Sequence, residues 1–529
     1  MTYTYLSTKH LLTPGKELEL VGQQITLKGW IYTVRTHGST EEGTAFGFMS
    51  LVDRSTVRHA QVVMNIEKCT TPESTMSIKT ALQKVKRGMM VSVKGTLVEC
   101  PKGHTTEQKT ELVAEFIEVY GQMDSESYPI AKPGMPLETI RQKPHLRFRD
   151  KRMHAITLIR DSAKGAVDDF FRKVKGYIWA PTPIITSNDC EGAGETFHIR
   201  CDDDDKKFLA AELKRALRVK DSKDTYDKDQ DYIKQSFFKD IVHLSVSGQL
   251  HGEAFAHGVA KIYTFGPTFR ADPSETSRHL AEFWMIEPEV CFITFDELKT
   301  LTVDFVKYVV KTVMEERKSE IDFLTSEVRP DLTKTLTDIV SNDFVMLSYT
   351  DAIKTLKDAV ESYAIRVVPE DASDKDIKKW SKKQYLIHEP PVWGMDLKSE
   401  HERYLTDVVF KTPVILYHYP KALKPFYMKP SETKYEEGET VDAMDLLIPG
   451  IGELIGGSMR EDDYDTLAKV MDEEGIREGL EWYLDLRKYG SCPHGGFGLG
   501  FERLVMLLTG ISNIRDVSAF PRLHHHCFA

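Results

Sequence analysis

Apolar and polar residues alternate in short runs through the first quarter of the chain, and runs with a helical period become common after it. The segments Gln24–Ile31, Ala45–Asp53, Ala60–Met64, Met90–Val98 and Glu115–Val119 read as half-buried strands, and Ser77–Lys86, after the third of them, reads as a helix. Further on, Ile156, Leu158, Ile159, Ala163, Val167, Phe170 and Phe171 mark an amphipathic helix over Met153–Lys173. It ends at Gly176, and a Pro-punctuated extended segment follows over Tyr177–Thr186. Lys261–Phe265 and Phe283–Ile286 flank the turn-forming run Asp272-Pro273-Ser274-Glu275-Thr276-Ser277, which predicts a strand-loop-strand hairpin. A helix is predicted over Asp296–Lys318, and Asp322–Glu389 reads mainly as helices joined by polar connections. Near the end, the glycine-rich run His494–Leu504 passes into an apolar helix, Val505–Leu508.

Five short strands with one helix after the third predict a small Greek-key barrel of the OB type, a fold that presents aromatics to unstacked bases. Phe48 is its candidate stacking platform, although a strand phenylalanine more often belongs to the core. The 529 residues, 41% hydrophobic and 29% charged, leave room for two to four domains. No apolar run reaches the ~18 residues of a membrane span, and Met1-Thr2-Tyr3-Thr4-Tyr5 starts no signal peptide, so the expectation is a cytoplasmic protein with no membrane partner. The seven cysteines are scattered and never spaced Cys-x-x-Cys, which indicates neither a disulfide framework nor a zinc site.

A net charge of -11 argues against non-specific coating of nucleic acid, but it hides a local patch. Lys132, Arg141, Lys143, Arg147, Arg149, Lys151 and Arg152 face only Glu138 and Asp150 there, just after the Pro/Gly-rich stretch 129–136. The patch reads as a hinge over 126–152 between a barrel in 1–125 and a second domain in 153–529, serving either as a solubilising linker or as a phosphate-backbone contact. A charge-dense stretch near 201–235 reads as an exposed insertion, and its four consecutive acids, Asp202–Asp205, as a solvated run.

The hairpin loop carries the most chemistry. Between Phe269 and Phe283 it gathers Arg270, Arg278 and His279, whose planar and cationic groups suit phosphate oxygens, with Phe283 as a face for a base. In the glycine-rich run, alternate glycines let a nucleotide approach the strand, and Arg503 at the helix start can reach it. One adenine can then lie between the Phe283 ring and the Arg503 guanidinium.

These motifs, with Pro183 closing a long helix-strand unit, resemble the three signature motifs of class II aminoacyl-tRNA synthetases. With a barrel in front, the chain is similar to their aspartyl, asparaginyl and lysyl subgroup over roughly Gly22–Phe520. Asp189–Glu195, Val246–Leu250, Thr276–Trp284, Glu287–Glu289 and Pro449–Ser458 are closest to asparaginyl enzymes. The resemblance implies an α+β protein in which an OB-type barrel precedes a catalytic domain of antiparallel sheet flanked by helices. It also implies a homodimer built partly on Asp161–Pro183. The partners would be asparagine, ATP and tRNA(Asn), with Mg²⁺ as cofactor and an aminoacyl-adenylate as intermediate.

By the family's pattern, Arg270 bridges the substrate carboxylate and the α-phosphate; Arg278, His279 and Arg503 hold outer phosphates and adenine, and Phe283 stacks on the ring. Asp445 and Glu453 match the magnesium carboxylates. Ser247, Gln249 and Glu191 would cradle the α-ammonium and the closing loop, while Phe48, Gln61 and Glu111 fall where the subgroup reads the anticodon. Aspartyl enzymes place a lysine two residues after the Gln-Leu pair; here that position is Gly252. What remains, Glu287 and Arg460, offers an acceptor and a donor that fit an amide. Asp272 stands where the class usually has Glu, which puts its contact to adenine or the tRNA end in doubt. The competing readings are an aspartyl enzyme of relaxed specificity, an ammonia-dependent asparagine synthetase on the same fold, and a silent tRNA-binding paralogue.

Overall fold

The computed structural model describes residues 3–13, 16–39, 41–42, 44–101, 108–121, 123–124, 126–130, 134–187, 196–199, 237–274, 276–369 and 371–527. Glu191, Lys132 and the charged segment 201–235 lie outside these described residues. The chain divides into two compact units, Met1–Asp161 with Glu316–Leu332, and Ser162–Glu315 with Thr333–Ala529.

In the first unit, β1 (Gln24–His37), β2 (Phe46–Val52), β3 (Ala60–Asn65), β4 (Met90–Glu99) and β5 (Thr110–Gly121) pair in the order β1-β2-β3-β5-β4. β4 pairs back onto β1, so the sheet closes into a barrel and its strands keep few open edges. Alternate residues such as Ile25, Leu27, Leu51, Val62, Val91, Val93 and Leu112 fill the interior. Helix α1 (Pro72–Lys84) starts where Thr71 and Ser74 form a reciprocal capping box with Pro72 at the first helical position, and it adds Ile78 and Leu82 to the same core. Two members of the basic patch are built into this unit. Arg147 is fully buried, and the Arg152 guanidinium is committed to Asp150 at 3.0 Å and to the Met135 carbonyl.

Helix α2 (Lys151–Asp168) continues as a π-helical stretch over Asp169–Val174. The extended segment that follows is shorter than expected: its strands are only β6 (Ile178–Trp179) and the pair Ile185–Thr186, with Pro181 and Pro183 between them.

The second unit is organised on an eight-stranded sheet. Besides β6 it contains β7 (Lys261–Phe269), β8 (Glu282–Cys291), β9 (Val345–Ser348), β10 (Val414–Pro420), β11 (Thr440–Ile448), β12 (Gly452–Met459) and β13 (His494–Gly500). Their order is β9-β10-β11-β12-β13-β8-β7-β6, antiparallel except at the two outer pairs. Helices α3 (Gln249–Val259), α4 (Phe295–Glu316), α5 (Tyr349–Glu361) and α6 (Phe501–Thr509) bury apolar faces against it. The stretch 322–389 is not only helical: Val345–Ser348, Ile365–Val367 and Tyr385–Ile387 are strands too short to announce themselves by alternation. No helix among the described residues is long and apolar enough to cross a membrane.

Candidate active site

The hairpin β7/β8, the hairpin β11/β12 and the glycine strand β13 line one cleft of about 430 Å³. Into it converge Ser247, Gln249, Arg270, Asp272, Arg278, His279, Phe283, Glu287, Asp445, Glu453, Arg460 and Arg503, which are every described residue that the sequence proposed for catalysis or for binding ATP, amino acid and metal.

One end of the cleft is cationic and aromatic. The Arg270 guanidinium lies 5.6 Å from the Phe283 ring centroid. Arg503, in the first turn of α6, donates to the Glu453 carbonyl at 2.8 Å and its carboxylate at 3.3 Å. Arg278 donates to Ser399 Oγ at 3.2 Å, and His279 Nδ1 lies 2.6 Å from Thr276 Oγ1 and 2.9 Å from Ser274 Oγ. Burial, and then Arg503, lower the His279 pKa; burial and the neighbouring Arg403 lower that of Arg278. Cations gathered closely enough to oppose one another in this way are a ready receptor for a polyanion.

The acid pair depends on an irregularity in the strands. Asp445 pairs with Gly456, but beyond Leu446–Ile455 the register slips, and Leu447 pairs with Glu453. Leu454 is the extra residue of a β-bulge. In a regular strand residues 453 and 456 would project to opposite faces; the bulge returns Glu453 to the face of Asp445. A Cβ placed on Gly456 would sit 3.1 Å from Glu453 Oε1 and 3.3 Å from Asp445 Oδ1, so both carboxylates turn into the same small space. Lys424 Nζ donates to Asp445 Oδ2 at 3.0 Å. Burial raises the Asp445 pKa in spite of Lys424, whereas Arg503 and Lys424 override burial and lower that of Glu453.

The other end is buried and polar. Glu287 accepts from Ser247 Oγ at 2.5 Å, from Gly248 N at 3.0 and 3.1 Å, and from Thr264 Oγ1 at 2.9 Å. Arg460 donates to both oxygens of Glu289, at 2.5 and 3.3 Å, and to Ser458 Oγ at 2.7 Å. Gly496 leaves room for this pair, since a Cβ there would lie 2.4 Å from Glu289 Oε1.

Residues 136–524 match the family of class II tRNA synthetases (D, K and N). The asparagine–tRNA ligase of Treponema denticola is 40% identical over 97% of this chain and 98% of its own length. The chain belongs to that family of class II synthetases. The asparagine–tRNA ligase of Porphyromonas gingivalis strain W83 is 41% identical over 95% of each chain. The crystal structure of asparaginyl-tRNA synthetase from Pyrococcus horikoshii complexed with asparaginyl-adenylate superposes with a TM-score of 0.74 at 29% identity, covering 97% of both chains.

Several side chains in or beside this synthetase's cleft were given no role by the sequence. Glu289 and Lys424 line it, and Glu502 Oε2 accepts from Trp284 N at 2.9 Å, tying the start of α6 to β8. Glu402 sits beside Arg278, and burial with the facing Glu453 and Asp445 pushes its carboxyl up to about 7. Their partners lie far away in sequence, so even where a motif contains them, as for Glu289 and Glu502, it does not show what they do.

On the barrel, Phe48 stands on the surface edge-on to Phe46 at 5.9 Å, outside the core. Gln61 Nε2 donates to the buried Glu111 Oε2 at 3.2 Å. A polar pair of that kind holds the amide in one orientation.

Proposed function

We infer that this synthetase activates asparagine with ATP to asparaginyl-adenylate and then acylates the 3′ end of tRNA(Asn). The observation that carries the choice of amino acid is the burial of Glu287 and Arg460 together at a cleft end where Gly252 replaces a lysine. Glu287 offers an acceptor for the amide NH₂ and Arg460 a donor for its carbonyl, while a second substrate carboxylate would meet Glu287 without the lysine that aspartyl enzymes place at the position of Gly252, and with Arg460 already paired to Glu289.

In the first step an asparagine carboxylate oxygen attacks the α-phosphorus and pyrophosphate leaves. Arg270 sits against both anions as charge builds between them, and the substrate's fixed position replaces most of the entropy of encounter. Arg278, His279 and Arg503 take the outer phosphates and the adenine, with the base stacked on Phe283; Asp272 reaches the adenine or the tRNA end. The two carboxylates above Gly456 fit a hard cation, and Asp445 and Glu453 would hold Mg²⁺, which when bound neutralises phosphate charge. Gln249 and Ser247 orient the amino-acid end, and Glu191 belongs to the closing loop. In the second step a ribose hydroxyl of the terminal nucleotide attacks the adenylate's carbonyl carbon, the bond to the phosphate breaks and AMP leaves.

Residues 1–125 serve as the anticodon-binding barrel, 126–152 as a hinge and 153–529 as the catalytic domain. Phe48 stacks on an anticodon base and Gln61, oriented by Glu111, reads a base edge. The active form is a homodimer. Ile178 and Trp179, half exposed on the outermost strand of the sheet, continue into exposed Ile184 and Ile185, and such an apolar sheet edge calls for a cover.

ATP–pyrophosphate exchange with asparagine and aspartate in parallel, followed by charging of tRNA(Asn), tests the reading. Exchange driven by aspartate alone would sink the amide argument.

A further inference from the structure

The reading above uses Gln249 and Arg460 at the amino-acid end; a single buried carboxylate lies behind both. Glu253, on α3, has no exposed surface. It accepts from Gln249 Nε2 at 3.1 Å, from Tyr483 OH at 2.8 and 2.9 Å and from Arg487 Nη2 at 2.9 Å. His494 Nε2 lies 3.0 Å from it and Arg460 Nε 3.8 Å. Burial acts to raise this carboxyl, but Arg487, His494 and Arg460 override it and hold the group well below the usual carboxylate range.

We propose that Glu253 is a specificity-determining positioning residue, which sets the orientation of Gln249 and Arg460 and makes the pocket hostile to a substrate carrying a second carboxylate. The proposal rests on the asparagine-activating reading and deepens it.

Three features carry it. An ionised carboxylate only accepts, so Gln249 must turn its NH₂ to Glu253, and its carbonyl oxygen is then the group it offers to the cleft. That oxygen suits an α-ammonium. Arg460 is held between Glu289 and Glu253, with Ser458 on a third side. Those bonds use Nε and one hydrogen on each terminal nitrogen, so the guanidinium keeps two N–H groups in a fixed plane for a substrate carbonyl. Finally, Glu253, Glu287 and Glu289 share this end with Arg460, Arg487 and His494. With Glu253 ionised, its charge is committed to Arg460 and Arg487; taking that charge away leaves these two cations one counter-charge short, so a substrate carboxylate then finds a partner that a neutral amide does not need.

The test uses the full chain and compares Glu253→Gln with Glu253→Asp by ATP–pyrophosphate exchange. Glu253→Gln removes the charge in nearly the same shape. It is expected to lower the asparagine-to-aspartate ratio of kcat/KM by about tenfold or more, with KM for ATP within about twofold of the parent. Glu253→Asp keeps the charge but withdraws it from Gln249 and Arg460. It should hold the ratio within about threefold while raising KM for asparagine about fivefold. A merely structural role would lower both amino-acid activities together, so an unchanged ratio in Glu253→Gln overturns the proposal. Should that variant fail to melt cooperatively, Glu253→Asp decides: KM for asparagine unchanged, or rising in step with KM for ATP, overturns it. An active parent with an unchanged ratio in the variant refutes this inference alone, whereas no asparagine-dependent exchange in the parent refutes the functional reading itself.

Discussion

Replacing Gly456 by alanine puts a methyl group into the space that Asp445 and Glu453 share. The new carbon would meet Glu453 Oε1 at 3.1 Å and Asp445 Oδ1 at 3.3 Å, whereas relaxed carbon contacts begin at about 3.5 Å. Both carboxylates must therefore recede by a few tenths of an ångström. Oxygen ligands to Mg²⁺ are wanted at about 2.0–2.1 Å, and sites tolerate deviations of only about 0.2 Å. A displacement that exceeds this tolerance should weaken the metal about 10- to 100-fold, which is about 1.4–2.8 kcal/mol. The fold has little reason to suffer. Gly456 lies in strand β12 without a left-handed backbone, and glycine-to-alanine exchange in such a strand changes stability by about 1 kcal/mol or less. The assay is pyrophosphate exchange titrated with Mg²⁺ at saturating ATP and asparagine, with Mn²⁺ binding to the free protein followed by electron paramagnetic resonance as a nucleotide-independent check. A half-saturating Mg²⁺ concentration and Mn²⁺ affinity both equal to the parent's would refute the assignment of this pair to a metal.

Arg270→Gln should lower kcat for exchange about 100- to 1,000-fold while leaving thermal unfolding unchanged by calorimetry, because its contact matters as charge builds between the anions. Phe48→Ala should raise KM for tRNA about tenfold or more in aminoacylation and leave pyrophosphate exchange untouched, as stacking on one base is worth about 1–3 kcal/mol. Trp179→Glu should shift the sedimentation coefficient from dimer to monomer, since it places a charge on an apolar edge strand. His59 is held down to about 4 by burial and by Lys151 and Arg54, so its contribution to stability is complete above pH 6.5 and lost as the pH falls towards 4. His59→Phe keeps the ring stacked on Tyr32 but removes the titration; urea unfolding should then lose up to about 3 kcal/mol less between pH 7 and pH 4 than in the parent.

The barrel and the hairpin around 269–283 were legible because each rests on local pattern: alternating strands, one helical stretch, and turn residues between apolar arms. Short strands were not. Val345–Ser348 has four residues and takes its place at the sheet edge from β10, more than sixty positions away. Among site residues, those inside dense motifs could be named from the sequence, since Arg270, Phe283 and Arg503 sit where strand and turn chemistry fixes their direction. Glu253 could not, because its meaning comes from Arg487, 234 positions further on, and Glu289, although it lies in the Glu287–Glu289 phrase, takes its role from Arg460, 171 positions further on. Two members of the basic patch show the same limit: that Arg147 is fully buried and that Arg152 is committed to Asp150 and the Met135 carbonyl could not be read from their neighbours in the sequence.

The bulge at Leu454 gives the spacing of eight between Asp445 and Glu453 a meaning of parity. If the strands paired regularly with Leu454 kept, Glu453 would go to the far side of the sheet; taking Leu454 out would remove the bulge and leave Glu453 opposite Leu447, still on the face of Asp445. A lineage that inherits this hairpin can therefore shorten the gap between the acids by one residue without separating them, because the face they share depends on the pairing and not on the count. Conversely, a motif search that insisted on a spacing of eight would pass over chains in which a regular pair of strands holds the same two acids one residue closer.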